Sequence, residues 1–513
     1  MRSLSRRSEG LDYERRMRSI RIEVSSPPSA MRRPLALVAG LALTLVAAVA
    51  CWPATGHTFY VDGNAGSDSA AGTSPALAWR SLAPVNAHTF GPGDKVLFRS
   101  GLSYPGAFVL HGSGKAGLPI VVDQFGPGPK PQIVSGPNDF VFSLYNSEYC
   151  EINNLELTGG HIGVFAYVKE FGVAHHLWFR GLRIHDIHGS GDDGGFLCKR
   201  EGLDTWFDDL LIENCTVEHA DRNGILLTDY PTAKDKHHSQ RVVIRGNQVR
   251  DIGGDGIFIL GCDGAVIERN VLRYAHQRVG RGPGDRACAG IWPHRCNNTI
   301  IQFNEVSHTA VGGVTVWDSE GFDDDISCTG TIFQYNYSHD NAGGFLLICG
   351  GAGTIARYNI SQNDAVATFT LESDGSKNAT IYNNTIYIGK GADVNFARNT
   401  FGAPQHIRFL NNIICAVGAV AYSFGGMKDV AFDHNAFFGA AQTPPPDAHA
   451  LRADPLLVKP GSGGNGMRTL VGYRLQPGSP CLHAGAVMPG NGGHDFWGAS
   501  LPAGRPTIGA SEK

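Results

Sequence analysis

Ile244-Arg-Gly-Asn247-Gln-Val249 and Ile301-Gln-Phe-Asn304-Glu-Val306 are one pattern, apolar-x-x-Asn-x-apolar, met twice. Eleven such segments run from about Leu155 to Asn435, with anchors at Leu155, Leu182, Cys215, Asn247, Asn270, Asn304, Asn336, Asn359, Asn384, Asn412 and Asn435. Successive anchors stand 23 to 34 residues apart. A minimal period near 23 with insertions is the signature of a solenoid, in which each repeat adds one coil. The last eight anchors are all Asn. An amide side chain both donates and accepts, so stacked Asn residues bond to one another and to backbone at a tight bend.

Most repeats also carry a Gly followed by a short strand, as in Gly224-Ile-Leu-Leu, Gly256-Ile-Phe-Ile, Gly313-Val-Thr-Val and Gly344-Phe-Leu-Leu. Alternation then sends one side chain inward and the next outward, and the inward Val and Ile suit stacked strands. The pattern resembles the right-handed β-helix superfamily that contains pectate lyases and many other glycan-active proteins. That resemblance implies an all-β, single-stranded right-handed parallel β-helix of about eleven coils, capped at both ends. It implies far less about reaction, because one fold hosts many functions.

The expected organisation follows. Residues 136–440 form the coils. Residues 52–135, beginning Thr58-Phe-Tyr-Val-Asp and continuing through Gly91-Pro-Gly-Asp, resemble the N-terminal cap and first coils of exported β-helix proteins. Residues 441–513, with Tyr473-Arg-Leu-Gln-Pro-Gly and Ile508-Gly-Ala, resemble the closing segment of the same proteins. An uncapped solenoid end exposes core and unpaired strand edge, which is why both caps are needed. Residues 31–50 read as a secretory signal: Met31-Arg-Arg is followed by an apolar run from Leu35 to Ala50, with Ala48-Val-Ala50 as cleavage site. Residues 1–30 read as an upstream extension from a misplaced start. Cys51 then stands either as the lipidated residue of a lipoprotein, giving membrane attachment, or as an incidental Cys after ordinary cleavage. The expected location is outside the cytoplasm of a bacterium, and the expected state is a monomer.

Composition narrows the partner. A formal charge of -4 excludes the basic face that nucleic-acid binding requires, leaving a polysaccharide or oligosaccharide as the expected ligand. Export permits disulfides, and Cys262, Cys296 and Cys328 stand five residues before the aligned Ile267, Ile301 and Phe333. They therefore stack on successive coils, either as three free thiols or with one pair bridged.

Counting from each Gly, positions two and four face outward and position five opens the next turn. This gathers Trp292, His294, Arg295, Trp317 and Asp318 in the middle coils, flanked by Lys199, Arg200, Asp229 and Glu372. Trp offers a flat face to a sugar ring, while His, Arg and Asp supply hydrogen bonds and charge. The insertion Trp317-Asp-Ser-Glu-Gly-Phe-Asp-Asp-Asp325 is strongly acidic. Its Phe322-Asp-Asp-Asp, followed by Gln334-Tyr-Asn-Tyr-Ser-His-Asp-Asn341, resembles segments of a poorly characterised branch of exported β-helix proteins.

Glycoside hydrolysis needs one carboxylic acid and one carboxylate. Asp318 with Glu372, two coils on, is one candidate pair; Asp323 or Asp325 closing on Asp318 is another. β-Elimination instead needs a base and a cation, which Lys199, Arg200, His294 and Arg295 would supply. No cofactor is required for either, although the acidic loop, or Asp62, Asn64 and Asp68 near the N-terminus, offers oxygen ligands for Ca²⁺. The competing expectation is a non-catalytic glycan-binding or structural protein of the cell envelope.

Overall fold

The computed structural model describes residues 56–229, 237–278, 288–310, 318–439 and 443–512, with Asp229 given by its backbone alone. The targeting segment, Cys51 and Trp317 lie outside the described residues. The chain winds through three parallel sheets. The first runs from Thr89–Phe90 to Ala419–Ala421 and the third from Ser103–Pro105 to Ala436–Gly439, with thirteen strands each. The second has sixteen and runs from Thr58–Val61 to Lys428–Asp433. Stacking starts ahead of Leu155, since Ser103–Pro105 and Gln132–Val134 already pair before Glu156–Thr158.

Inward side chains form continuous rows. In the first sheet Phe196, Ile225, Ile257, Ile291, Phe322, Leu346 and Phe369 are consecutive register partners, all essentially buried. Each contributes roughly 1.5–3 kcal/mol of apolar burial. The Asn anchors sit between second and third sheets. From Asn247 to Asn412 each amide nitrogen donates to the Asn of the next coil at 2.9–3.1 Å, and each also donates to a strand carbonyl of the preceding coil. The ladder ends where Asn435 donates to Asp447 at 2.9 Å.

The residue before each anchor is left-handed, and in the middle coils it is bulky: Arg269, Phe303, Tyr335 and Tyr358. Residues 443–512 lie along this flank. Tyr335, Tyr358 and Tyr382 share an apolar cluster with Leu470, Tyr473, Phe496 and Ile508. Tyr335 donates to the His494 carbonyl at 3.2 Å, and Asn383 donates to the Thr507 carbonyl at 2.7 Å. The C-terminal segment is thus a strap along the coils, and Gln334–Asn341 contributes Tyr335 and Tyr337 to the surface it grips.

At the other end Asp62 accepts from the backbone N–H groups of Asn64 and Ala65, closing an Asx turn. Cys262, Cys296 and Cys328 are buried, and no disulfide joins any two of them. They do stack, with the Cys262 N–H 3.3 Å from the Cys296 Sγ.

Candidate active site

A ladder of glycines sets the register of the first sheet. A Cβ on Gly224, Gly256 or Gly290 would lie 2.3–2.5 Å from the carbonyl oxygen of Gly256, Gly290 or Gly321 respectively. Only Gly fits there. Gly321 is therefore the partner of Gly290, and the strand of this coil is Glu320–Asp324. The strand expected after Gly313 lies outside the described residues, and the strand in register with Ile291–His294 is Glu320–Asp324. The acidic stretch is the strand itself rather than a loop beside it, and Asp318 precedes the strand instead of following it.

Two outward rows result. One reads Leu197, Leu226, Phe258, Trp292, Asp323, Leu347, Thr370 and Arg398. The other reads Lys199, Thr228, Leu260, His294, Asp325, Cys349 and Glu372. Both change character at one coil. Up to Trp292 the first row is an apolar stack, with Phe258 and Trp292 rings parallel at 3.7 Å. Beyond it the outer face turns acidic.

Trp292 is only 8% exposed, and its Nε1 donates to Asp255 Oδ1 at 2.9 Å. It is a packed wall rather than the open sugar platform expected of it. His294 is buried too, its Nδ1 2.8 Å from Asp325 Oδ2. Asp325 and Glu372, not Asp318 and Glu372, are the acids in register two coils apart.

Asp318 and Ser319 are consecutive left-handed residues (φ 61° and 72°) that redirect the chain just before the strand. Burial, then the charges of Glu320, Asp325 and Glu372, push the Asp318 carboxyl well above the ordinary carboxylate range. Asp323 is raised well above that range by burial and by Asp325 and Asp318. Burial raises Glu320 to about 7, opposed by Arg398, whose Nη2 is 3.6 Å from Glu320 Oε1. Among the described residues, neither Glu320 oxygen nor Asp323 Oδ1 reaches hydrogen-bond geometry with a donor. Asp324 points into the core, where it accepts from the Thr354 hydroxyl, and burial raises it to about 6. Like charges held this close in an apolar wall cannot all ionise.

The remaining expected residues separate from this cluster. Lys199 lies four strands away, roughly 19 Å by strand spacing, with its Nζ over the Tyr167 ring. Arg200 is 2% exposed and donates to the carbonyls of Thr205 and His237, so it is a structural residue rather than a substrate contact. Asp229 is the register partner of Arg200, three strands from the acids. Arg295 is left-handed (φ 52°) and its N–H bonds the Ile326 carbonyl, closing the turn after His294. Glu372 is buried and accepts from the Thr400 hydroxyl.

Arg398 and Asp255 were not singled out from sequence. Asp255 did have a signal, because it stands directly before a ladder Gly, as Glu320 does. Among the described residues, the groups whose ligand atoms converge enough for a metal ion are His308, His339 and Asp340, and Asp433, His434 and His449. The acidic coil is not one of them.

Residues 134–319 and 207–373 match the family model described as a right-handed β-helix region. The fold is that of a right-handed parallel β-helix. Over 89% of its length it is 28% identical to a lacto-N-biosidase of Bifidobacterium longum subsp. longum, of which it spans 36%. The chain therefore covers little more than a third of that relative. The lacto-N-biosidase of glycoside hydrolase family 136 from Eubacterium ramulus superimposes with a TM-score of 0.58 at 21% identity, covering 73% of this chain and 68% of that one. The XylC complex with xylose superimposes at 0.54 with 13% identity, covering 88% and 98%. At these identities the two structures share the fold.

Proposed function

We propose that this protein is a glycoside hydrolase acting on an oligosaccharide, with Asp318 as general acid and Asp325 as the carboxylate that serves as nucleophile or base. One observation carries the assignment. Of the acids gathered at this coil and, with Glu372, two coils beyond it, Asp318 and Asp325 are residues of intermediate exposure, whereas Glu320, Asp323 and Glu372 are buried. Only an accessible carboxyl can touch a glycosidic oxygen or an anomeric carbon. The environment of Asp318 holds its proton, as an acid that must protonate a leaving oxygen requires. Asp325 is fixed by His294, whose ring nitrogen bonds one of its oxygens. The buried acids enforce this division by keeping Asp318 neutral.

β-Elimination fits less well. A uronate carboxylate would need a cation, yet Arg200 is buried, Lys199 is four strands away and Arg398 already faces Glu320. The likeness to a lacto-N-biosidase supports hydrolysis and makes a lacto-N-bioside the first substrate to try. We also infer export, supported by the signal-like segment 31–50. The chemistry needs two carboxyls and water, with no cofactor.

The test is release of nitrophenol from p-nitrophenyl β-lacto-N-bioside, beside a glycan panel followed by reducing ends and by the ultraviolet absorbance of unsaturated uronides, with Ca²⁺ and with chelator. Reducing ends without unsaturated product, lost about 10³-fold in both Asp318→Asn and Asp325→Asn, is the expected result. Unsaturated product, full activity in either variant, or no cleavage anywhere on the panel overturns the proposal.

A further inference from the structure

A second column of left-handed residues marks the entry to the second sheet. In register along successive coils it reads Tyr149, His176, Asp209, Arg241, then Gly264, Asn298, Gly330, Gly353 and Asn378. In the middle coils, from Gly264 to Asn378, the position holds Gly or Asn, the residues that take this conformation most cheaply, and only in the last two do His406 and Asp429 stand there. In the first four it holds side chains that pay a conformational penalty to stand there. On the anchor flank, bulky left-handed residues meet the C-terminal strap. Here the same device lines an open groove of about 420 Å³, with Trp178, His175 and Glu151 completing its wall.

The groove is built and rigid. His176 is held between two carboxylates, Nδ1 2.8 Å from Asp209 and Nε2 3.0 Å from Glu151. Trp178 Nε1 donates to Asp209 Oδ1 at 3.0 Å, and the Arg180 guanidinium lies 4.0 Å over the indole. Tyr149 and His175 rings are nearly parallel at 5.6 Å. His175, Asp209 and Arg241 have side-chain exposures of 37%, 33% and 66%. Aromatic faces beside carboxylates with lone pairs to spare match the apolar face and the hydroxyl donors of a sugar ring.

We infer that this groove is a second, non-catalytic site for a neutral oligosaccharide. Neutral, because Glu148, Glu151, Asp208 and Asp209 on and around it would repel an acidic glycan. Oligosaccharide, because the Tyr149–Arg241 column spans three coil spacings, roughly 14 Å. The groove opens on a different sheet from the acidic coil, whose strand Glu320–Asp324 lies four strands beyond Gly194–Glu201. It would hold one stretch of a glycan while another meets Asp318 and Asp325.

Calorimetric titration of full-length Asp318→Asn, which prevents turnover, with xylohexaose, cellohexaose, β-1,4-galactohexaose and hexagalacturonate tests this. Tyr149→Asn and Asp209→Asn, each added to that background, place in the groove the residue that Asn298 and Asn378 already use in the same column. The left-handed backbone is therefore kept, and either variant suffices if the other fails to fold. At least one neutral hexasaccharide should bind, with affinity falling at least tenfold in the groove variants. Binding that survives both substitutions, no binding of any neutral probe, or preference for hexagalacturonate overturns the inference. The catalytic proposal is tested on a small chromogenic substrate with the groove intact, so the two fail separately.

Discussion

The Asn ladder and the acidic coil are both buried polar sets in one solenoid, and they are treated in opposite ways. From Asn247 to Asn412 each anchor amide donates to the Asn oxygen of the next coil and to a strand carbonyl of the preceding one. On the first sheet, Glu320 and Asp323 are buried at 1% and 6% exposure, and among the described residues no hydrogen-bond donor meets either Glu320 oxygen or Asp323 Oδ1. Satisfied buried groups stabilise and specify a fold, whereas unsatisfied ones cost free energy that the fold carries for another reason. Under the proposed hydrolysis that reason is an environment that holds the Asp318 carboxyl well above its ordinary value.

The sharpest way to break this contrast is to separate the accessible acid from the buried one on the same strand. Asp325→Asn should lower kcat/KM on the lacto-N-bioside about 10³-fold, near 4 kcal/mol of transition-state stabilisation. Asp323→Asn, two residues away on the same face, should stay within about tenfold because its carboxyl is buried, which holds it well above the ordinary carboxylate range. Equal losses in both would mean that exposure does not sort these acids into roles. Next comes the ladder. Asn304→Ala removes the partner of the Asn270 N–H and amide and leaves the Ile267 carbonyl unmet. Denaturant unfolding should show a loss of about 3 kcal/mol. A loss well under about 1 kcal/mol would make the ladder ornamental.

The ladder was readable in the sequence because it repeats: one Asn per coil, flanked by apolar residues, identifies the turn and the sheets on either side. The acidic coil was half readable. Its residues were noticed for their charge, but Gly313 was taken as the strand leader when Gly321 is. Gly256 and Gly290 each stand fourteen residues before an Asn anchor and Gly321 stands fifteen before Asn336, so counting back from the anchor separates the two glycines. Strand-leading Gly is chosen by the carbonyl it must approach, not by the apolar residues that follow it. Arg398 gave no local signal, since its role depends on the row it joins three strands on from Asp323. Arg200 misled because a charged residue at an outward position was assumed to reach solvent, whereas its guanidinium turns to two backbone carbonyls.

The smallest expected effect bears on the cost side of the comparison. Glu320 titrates at about 7 in the folded chain against an ordinary value of 4.5. A carboxyl raised on folding stabilises the protein below its unfolded pKa, and that stabilisation is lost as pH climbs towards the folded one. Glu320→Gln fixes the neutral form. The variant should therefore gain on the parent as pH rises from about 4.5 to about 8, with a change in their stability difference of about 1–2 kcal/mol. That figure lies below the full linkage value because Arg398 and Glu372 share the titration. Subtracting the parent at each pH removes the titration of every other group, including Glu218 and Glu305, whose ion pairs shift them the opposite way. A flat difference across this range would mean that Glu320 ionises freely in the fold. Its charge would then stand beside Asp318 across the whole range and hold that carboxyl above its ordinary value.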